Sequence, residues 1–391
     1  MSPLIGGYME NRETTTALAD LRKQGQSIWL DYIRRSLITG DGLKRLILED
    51  GLTGVTSNPS IFEKAIDGSA DYDEGLHQLL ERDVHMEPRV IYDTLAIEDV
   101  RVAANLLRPT YEQSGGIDGF VSLEPPPQFT RDTASIVTEA RRLWHAVNVP
   151  NLMIKVVAGR EGIRAIEQLI GEGINVNITL MFSQRHYEEV AQAYLRGLAS
   201  CRQPDKIASV ASFFVSRIDT VVDRALEANG SAEALALRGK IAIANAKVAY
   251  RRFGEIFHGE AFAALRQRGA HPQRVLWAST GVKNPKYRDV LYVEELIGPE
   301  TVNTIPPETL EAFRQHGYVR GATVLENVGE ADEQLRSLRA LSIDLDEITE
   351  KLQLDGIAAF ADAYDKVLAA LDKKSHAIVA GKPDRQPLER L

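Results

Sequence analysis

A single lysine interrupts an otherwise apolar run near the middle of the chain. Lys155 lies within residues 151–157, NLMIKVV, where its ammonium group would be removed from water. Loss of hydration favours the neutral amine, and a neutral amine is a nucleophile. Such an amine can attack a carbonyl carbon and form an iminium, which withdraws electrons from a neighbouring carbon–carbon bond. The residue therefore predicts Schiff-base chemistry.

Two carboxylates stand at the ends of other short apolar runs. Asp31 ends one of these runs and Glu124 ends another. Cleavage of a carbon–carbon bond through an iminium needs a group that takes a hydroxyl proton and returns it, and a buried carboxylate can do this. A structural ion pair between Lys155 and either carboxylate is the alternative interpretation, and it is compatible with catalysis.

Basic residues follow two later runs and are candidates for binding phosphate. Arg217 follows residues 207–215, while Ser279 and Lys283 belong to the segment ASTGVKN at 278–284. A hydroxyl, a glycine and a lysine just after a strand suit an oxyanion, and barrels often bind phosphate near their last two strands. Arg217 taken alone fits a surface ion pair with Asp219 equally well.

Eight short apolar or β-branched runs must position these residues, and segments of helical periodicity separate them. This alternation is typical of parallel βα units, and runs that are apolar throughout indicate strands buried on both faces. The runs comprise residues 27–32, 54–58, 120–124, 151–157, 176–180, 207–215, 275–280 and 301–305. Eight units predict an α/β fold, a (β/α)8 TIM barrel. An open doubly wound sheet is the rival, but no GxGxxG turn follows the first run.

Polar residues break into nearly every run close to its carboxyl end. Barrel active sites collect on that face, so these residues are expected to meet there. They are Asp31, Asn58, Glu124, Lys155, Asn177, Thr179, Ser212, Ser279 and Asn303. Each residue alone could be a hydrogen-bonded strand end or a helix cap, which is the favoured interpretation for Asn58 and Ser183. Capping does not readily explain the whole set.

The helical segments suggest how the remaining length is used. Apolar spacing predicts helices over 132–147, 183–198, 231–253 and 344–371. The connections 58–120 and 215–275 are too long for plain loops, so each is expected to hold extra helices. We expect residues 1–322 to form the barrel and residues 323–391 to form a helical extension packed on it, with a charged tail that frays after Lys373.

The composition is that of an ordinary globular protein. Its 391 residues include 46 basic and 55 acidic side chains, a net charge of −9, which argues against a nucleic-acid partner. Residues 1–10 lack a signal-peptide pattern, and no run of about 18 apolar residues predicts a membrane span. Cys201 is the only cysteine, which excludes an intrachain disulfide and favours the cytoplasm. The eight histidines lack HxH or HExxH spacing, so no metal site is expected.

Three long motifs resemble those of the transaldolase family, in the same order. Residues 54–62, GVTSNPSIF, resemble its TSNPSIF-type signature, and residues 151–156, NLMIKV, resemble its Schiff-base lysine motif. Residues 173–183, GINVNITLMFS, resemble its INVNxTLxFS segment. The segments LWASTG and TVNTIP, at 276–281 and 301–306, are similar to the longer bacterial branch of the family. The resemblance runs through most of residues 15–325.

The resemblance implies a role for each catalytic candidate. Lys155 would form a Schiff base with a ketose phosphate. Asp31 would take the proton of the C4 hydroxyl as the C3–C4 bond breaks. Glu124 and Thr179 would hold the catalytic water.

The family pattern also implies which residues bind the substrate. The dihydroxyacetone unit would contact Asn58, Asn177 and Ser212, with Phe214 close by. The phosphate would contact Arg217, Ser279 and Lys283. Many relatives carry an arginine in a shorter loop at the position of Lys283, and a lysine keeps the charge but loses the bidentate fork.

The implied reaction transfers a dihydroxyacetone unit from sedoheptulose 7-phosphate to glyceraldehyde 3-phosphate, giving erythrose 4-phosphate and fructose 6-phosphate. It belongs to the non-oxidative pentose phosphate pathway and needs no metal or organic cofactor. A fructose 6-phosphate aldolase is the nearest alternative, although such aldolases usually have Gln and Tyr where this chain has Glu124 and Phe214. A non-catalytic sugar-phosphate-binding barrel is a second alternative, which would not need to retain Lys155.

Overall fold

Eight parallel strands close into a barrel in the computed structural model, which describes residues 16–381. Each strand pairs with its successor, and the eighth pairs with the first. The strands are β1 (Gln26–Leu30), β2 (Gly54–Thr56), β3 (Phe120–Leu123), β4 (Leu152–Val157), β5 (Val176–Met181), β6 (Ser209–Phe214), β7 (Arg274–Ala278) and β8 (Thr301–Ile305). The predicted (β/α)8 barrel is confirmed.

Helices surround the barrel and fill the long connections. The first nine are α1 (Ala17–Lys23), α2 (Arg35–Thr39), α3 (Gly42–Glu49), α4 (Pro59–Asp67), α5 (Asp73–Arg82), α6 (Pro88–Gln113), α7 (Thr133–Val147), α8 (Arg160–Gly171) and α9 (Gln184–Ser200). The others are α10 (Ser216–Asn229), α11 (Ala232–Leu235), α12 (Ile241–Phe257), α13 (Ala263–Gln267), α14 (Leu291–Glu295), α15 (Pro307–His316), α16 (Val328–Ala340) and α17 (Leu345–Val379). Short 3-10 turns occur at Pro127–Arg131, Pro204–Lys206, Glu260–Phe262 and Thr323–Leu325. Both long connections therefore hold several helices, as predicted.

An apolar layer fills the inside of the barrel. It is formed by Trp29, Phe120, Met153, Val210, Leu276 and Val302, with Ala208 and Ala278. Gly54 leaves room for the indole of Trp29, because a Cβ at Gly54 would lie 2.4 Å from that ring. Side chains alternate between the two faces of a strand. A residue two positions after a member of this layer therefore also points into the barrel, one level closer to the carboxyl ends of the strands. Four such residues are Asp31, Ser122, Lys155 and Ser212.

Some strand ends differ from the sequence prediction for local reasons. β2 ends at Thr56, before Asn58, because the Asn58 Oδ1 accepts a hydrogen bond of 3.1 Å from Ile61 N and caps α4. β7 ends at Ala278, before the predicted Thr280, since Ser279 adopts a left-handed φ of 55°. Ser183 caps α9 through its side chain, which confirms its predicted role.

The predicted helix over 231–253 is wrong as one continuous element. The chain forms α11 and then α12, and Gly239 between them has a φ of +69°, which a helix cannot accommodate. Its backbone N–H donates to Asp223 Oδ1 at 3.0 Å, and the ring of Tyr287 packs where a Cβ would be. A tertiary contact therefore breaks a segment whose apolar periodicity is helical.

The C-terminal helix α17 has 35 residues and crosses the carboxyl ends of the strands. The predicted fraying after Lys373 is wrong for residues 374–379, which still belong to α17. Buried Lys374 holds this end of the helix, because it donates to Ser69 O at 2.8 Å and pairs with Asp73 Oδ1 at 2.6 Å. The end of the predicted tail, and residues 1–10 with their predicted lack of a signal peptide, lie outside the described residues. Within residues 16–381, no helix is long and apolar enough to cross a membrane.

Candidate active site

A cavity of about 460 Å³ opens at the carboxyl ends of the strands. Every residue for which the sequence predicted a catalytic or binding role lines it, except Asn177, and these side chains come from seven strands or the loops that follow them. Asn303, which was also expected at this face, is fully buried and does not line the cavity. The predicted residues that line it are Asp31, Asn58, Glu124, Lys155, Thr179, Ser212, Phe214, Arg217, Ser279 and Lys283. The strand-end pattern therefore located one shared site.

Lys155 and Glu124 form a buried pair at the base of this cavity. The Lys155 Nζ donates to the backbone carbonyl of Ser57 at 2.7 Å and lies 3.5 Å from Glu124 Oε2. Burial raises the pKa of Glu124, and the nearby Lys155 charge opposes that rise. The raised pKa brings the carboxyl closer to the range in which it can exchange a proton with a neighbouring group. The ion pair that the sequence suggested as a structural alternative is therefore present, with Glu124 as the carboxylate partner of Lys155.

Asp31 stands at the end of β1 with a different set of neighbours. Its Oδ1 accepts a hydrogen bond of 2.7 Å from the Thr56 hydroxyl, which lies 2.7 Å from the Thr304 hydroxyl. Among residues 16–381 the carboxylate has no ion-pair partner. It is also only partly buried, so it can accept a proton from a group in the cavity.

Asn177 lies below the cavity and does not line it. It is fully buried, donates to Ser122 Oγ at 2.9 Å and accepts from Ser212 Oγ at 2.7 Å. The structure therefore does not bring Asn177 to the cavity surface with the other predicted binding residues, and its Oδ1 and one amide hydrogen are engaged by neighbouring hydroxyls. Its contact with Ser212 fixes the orientation of a side chain that does line the cavity.

The cationic side of the cavity is formed by the residues after β6 and β7. The Arg217 guanidinium lies 5.4 Å from the ring centroid of Phe214, a cation–π geometry. Ser279 Oγ lies 3.0 Å from the hydroxyl of Ser216. Within the described part of the chain, neither Arg217 nor Lys283 forms an ion pair. Burial lowers the pKa of Arg217 and nearby Asp31 opposes that shift.

The alternative ion pair between Arg217 and Asp219 is wrong. Asp219 points into the protein, where it accepts 2.8 Å and 2.9 Å hydrogen bonds from Ala242 N and the Tyr292 hydroxyl. Burial raises the pKa of Asp219 to about 7. Arg217 is left to face the cavity, where its charge and that of Lys283 can bind an anion.

Further lining residues escaped the sequence prediction. They include Thr56, Lys64, Leu180, Gly356, Ala359 and Phe360. Thr56 carried a usable signal, since it is the last residue of β2 and precedes Asn58 by two positions. The apolar spacing of α17 predicts a buried face that includes Phe360, but no local pattern indicates that Gly356 reaches the cavity.

Across 16–381, no group of three or more His, Cys, Asp or Glu side chains is arranged to hold a metal ion. Cys201 is buried and free.

The chain is similar to known proteins over most of its length. The sequence profile of the family described as Transaldolase/Fructose-6-phosphate aldolase matches residues 28–371. A transaldolase of Thiobacillus denitrificans is 48% identical over 357 residues, covering 90% of this chain and 98% of the relative. Transaldolase 1 of Streptomyces coelicolor is 46% identical, covering 93% of this chain and 96% of the relative. The transaldolase of Trichodesmium erythraeum is 42% identical, covering 92% and 98%. The chain therefore belongs to the transaldolase/fructose-6-phosphate aldolase family.

Proposed function

We propose that the protein is a transaldolase that transfers a dihydroxyacetone unit from sedoheptulose 7-phosphate to glyceraldehyde 3-phosphate. The observation that carries this proposal is the buried lysine amine, 3.5 Å from the Glu124 carboxyl, in a cavity that also holds Arg217 and Lys283, neither of which forms an ion pair within residues 16–381. Near-full-length relatives named transaldolase support it. We place the reaction in the non-oxidative pentose phosphate pathway and the protein in the cytoplasm.

Catalysis begins when the Lys155 ammonium group passes a proton to the Glu124 carboxylate and the resulting amine attacks the C2 carbonyl of the ketose phosphate. Loss of water gives the iminium, with Glu124 and Thr179 holding the water that carries the protons. Asp31 then takes the C4 hydroxyl proton while the C3–C4 electron pair moves into the iminium. This step releases an aldose phosphate and leaves an enamine on Lys155.

The second half repeats these steps in reverse. The enamine carbon attacks the aldehyde of the acceptor, Asp31 returns its proton to the new hydroxyl, and water hydrolyses the iminium. Asn58 and Ser212 bind the dihydroxyacetone unit, with Asn177 acting through Ser212. Arg217, Ser279 and Lys283 hold the phosphate, and Phe214 supports the guanidinium of Arg217.

We assign residues 1–322 to the catalytic barrel and residues 323–391 to a C-terminal extension. In the described part of that extension, α17 supplies part of the cavity wall. Sugar phosphates are the proposed substrates; neither a nucleic acid nor a membrane is a proposed partner.

A coupled assay with fructose 6-phosphate tests the proposal. Turnover that depends on added erythrose 4-phosphate is expected of a transaldolase. Release of glyceraldehyde 3-phosphate without an acceptor would instead identify an aldolase. Borohydride added with fructose 6-phosphate should fix a covalent adduct on Lys155, since reduction traps an imine. A mass shift on another lysine, or none, would refute the Schiff-base assignment.

A further inference from the structure

The helix α17 is anchored across the cavity at three places. Near its start, Glu350 Oε1 lies 2.6 Å from His186 Nε2 on α9. In its middle, the ring of Tyr364 packs edge-on against Tyr92 of α6, with centroids 5.2 Å apart. Towards its end, Lys374 pairs with Asp73 of α5. The part of α17 between the first two contacts is thereby held over the ends of β4 and β5.

The end of β5 beneath α17 has an irregular backbone. The register with β6 shifts between Ile178 and Met181, and Leu180 within this bulge has a φ of 59°. A left-handed conformation at a residue with a side chain costs on the order of 1 kcal/mol and persists only where neighbours hold it. Thr179, the residue proposed to hold the catalytic water, immediately precedes Leu180.

One side chain of α17 joins this bulge to the neighbouring strand. Gln353 is 7% exposed, and its Nε2 donates 3.0 Å hydrogen bonds to both Ala158 O and Leu180 O. Both amide hydrogens are thus used, one at the end of β5 and one just past the end of β4. The helix lies very close at this point, since a Cβ at Gly356 would be 2.9 Å from Leu180 Cδ2.

Gln353 does not line the candidate active-site cavity. Its effect on the site must therefore pass through the backbone of the two strands that carry Lys155 and Thr179. The backbones of these two strands are hydrogen-bonded to each other beside the bulge, because Ala158 N donates to Thr179 O at 2.9 Å. Without the amide of Gln353, two buried carbonyls would lose their hydrogen bonds and the bulge would lose its external support.

We propose that Gln353 is a positioning residue that holds the Leu180 bulge and so keeps the Thr179 hydroxyl in place for the catalytic water. The proposal rests on the proposed function, since it assigns Gln353 to the water-dependent steps of that reaction. It also gives the C-terminal extension a specific part in catalysis beyond covering the cavity.

The test compares the variants Q353M and Q353E with wild type and with L354Q, in the full-length chain. Q353M keeps the length of the side chain and loses its donors; Q353E keeps the shape and replaces donors with acceptors. Leu354 is 66% exposed on the same helix, so L354Q is a matched control. The acceptor-dependent assay supplies kcat and KM for fructose 6-phosphate, and thermal unfolding monitors folding.

Both Gln353 variants should lose about 10- to 100-fold in kcat, the scale expected of a small misplacement in an active site, with KM within about twofold of wild type. L354Q should match wild type. The positioning role would be overturned if the kcat of Q353E were unchanged, or if both variants lost activity equally through a higher KM. An inactive wild-type protein would instead refute the proposed function, and this inference with it.

Discussion

The two ends of the barrel both contain buried charges and a cavity, yet they use their charges differently. At the amino end, a cavity of about 590 Å³ is lined by Asp118, Arg274 and Ser27. Asp118 accepts from Trp29 Nε1 at 2.8 Å and from the Ser27 hydroxyl, while Arg274 donates to Ser27 Oγ at 2.6 Å and to Ile117 O at 2.8 Å. These groups satisfy one another.

At the carboxyl end the charges are only partly satisfied by the protein. Asp31, Arg217 and Lys283 have no ion-pair partner within residues 16–381, whereas Arg274 at the amino end pairs with Asp118 at 3.5 Å. The apolar layer that includes Trp29 and Met153 lies between the two ends. Buried charges therefore do not by themselves identify a functional site. Charged groups that face a cavity with unused hydrogen-bonding capacity are the better indicator.

The largest effect is expected for Lys155, in comparison with a second buried lysine, Lys247. K155M should reduce acceptor-dependent turnover by at least about 10⁴-fold and abolish borohydride trapping, because no covalent intermediate can form. The matched variant K247M removes a buried lysine that donates to Glu326 O at 2.9 Å outside the site, and it should keep both properties. Comparable loss in both variants would mean that burial of lysine, not its location, controls activity.

The amino-end network should affect stability rather than turnover. D118A leaves the buried Arg274 without its carboxylate and should lower the free energy of unfolding by about 3–5 kcal/mol, as measured by denaturant titration. The folded fraction should retain the wild-type kcat. A variant that unfolds normally but turns over slowly would connect the two ends and contradict the comparison.

Asp31 should show the opposite pattern from Asp118. D31N keeps the shape and polarity of the side chain but cannot take a proton, so kcat should fall by about 100-fold with KM within about twofold. The unfolding midpoint should stay near that of wild type. Steady-state kinetics with fructose 6-phosphate and erythrose 4-phosphate measures this split, and an equal loss in binding would leave Asp31 with a positioning role only.

The smallest effect is expected at the exposed rim. K283A should raise KM for fructose 6-phosphate by about tenfold, since one charge–phosphate contact contributes roughly 1–2 kcal/mol. Its KM for free dihydroxyacetone should change by less than about twofold. K286A removes an exposed lysine of the same loop and serves as the control. Equal changes for both donors would remove Lys283 from the phosphate site.

Much of the fold and site was predictable because strand signals are local. The apolar runs located all eight strands, and alternation placed Asp31, Lys155 and Ser212 on one side of their strands. The differences between the sequence prediction and the structure have non-local causes. The helix over 231–253 is broken where Gly239 meets Tyr287, and Asn177 is withdrawn from the cavity by hydrogen bonds to hydroxyls on β3 and β6.

The amino-acid sequence by itself determined the barrel and the positions of Lys155 and most of the polar side chains at the strand ends, because residue type and the two-residue period of a strand are local properties. Tertiary structure alone decided which charges remain unsatisfied and how α17 meets β5. Gln353 and Leu180 are 173 positions apart, and their contact exists only after the barrel has closed and the helix has been anchored over it. Contacts of that range depend on packing of the whole chain, which no local pattern records.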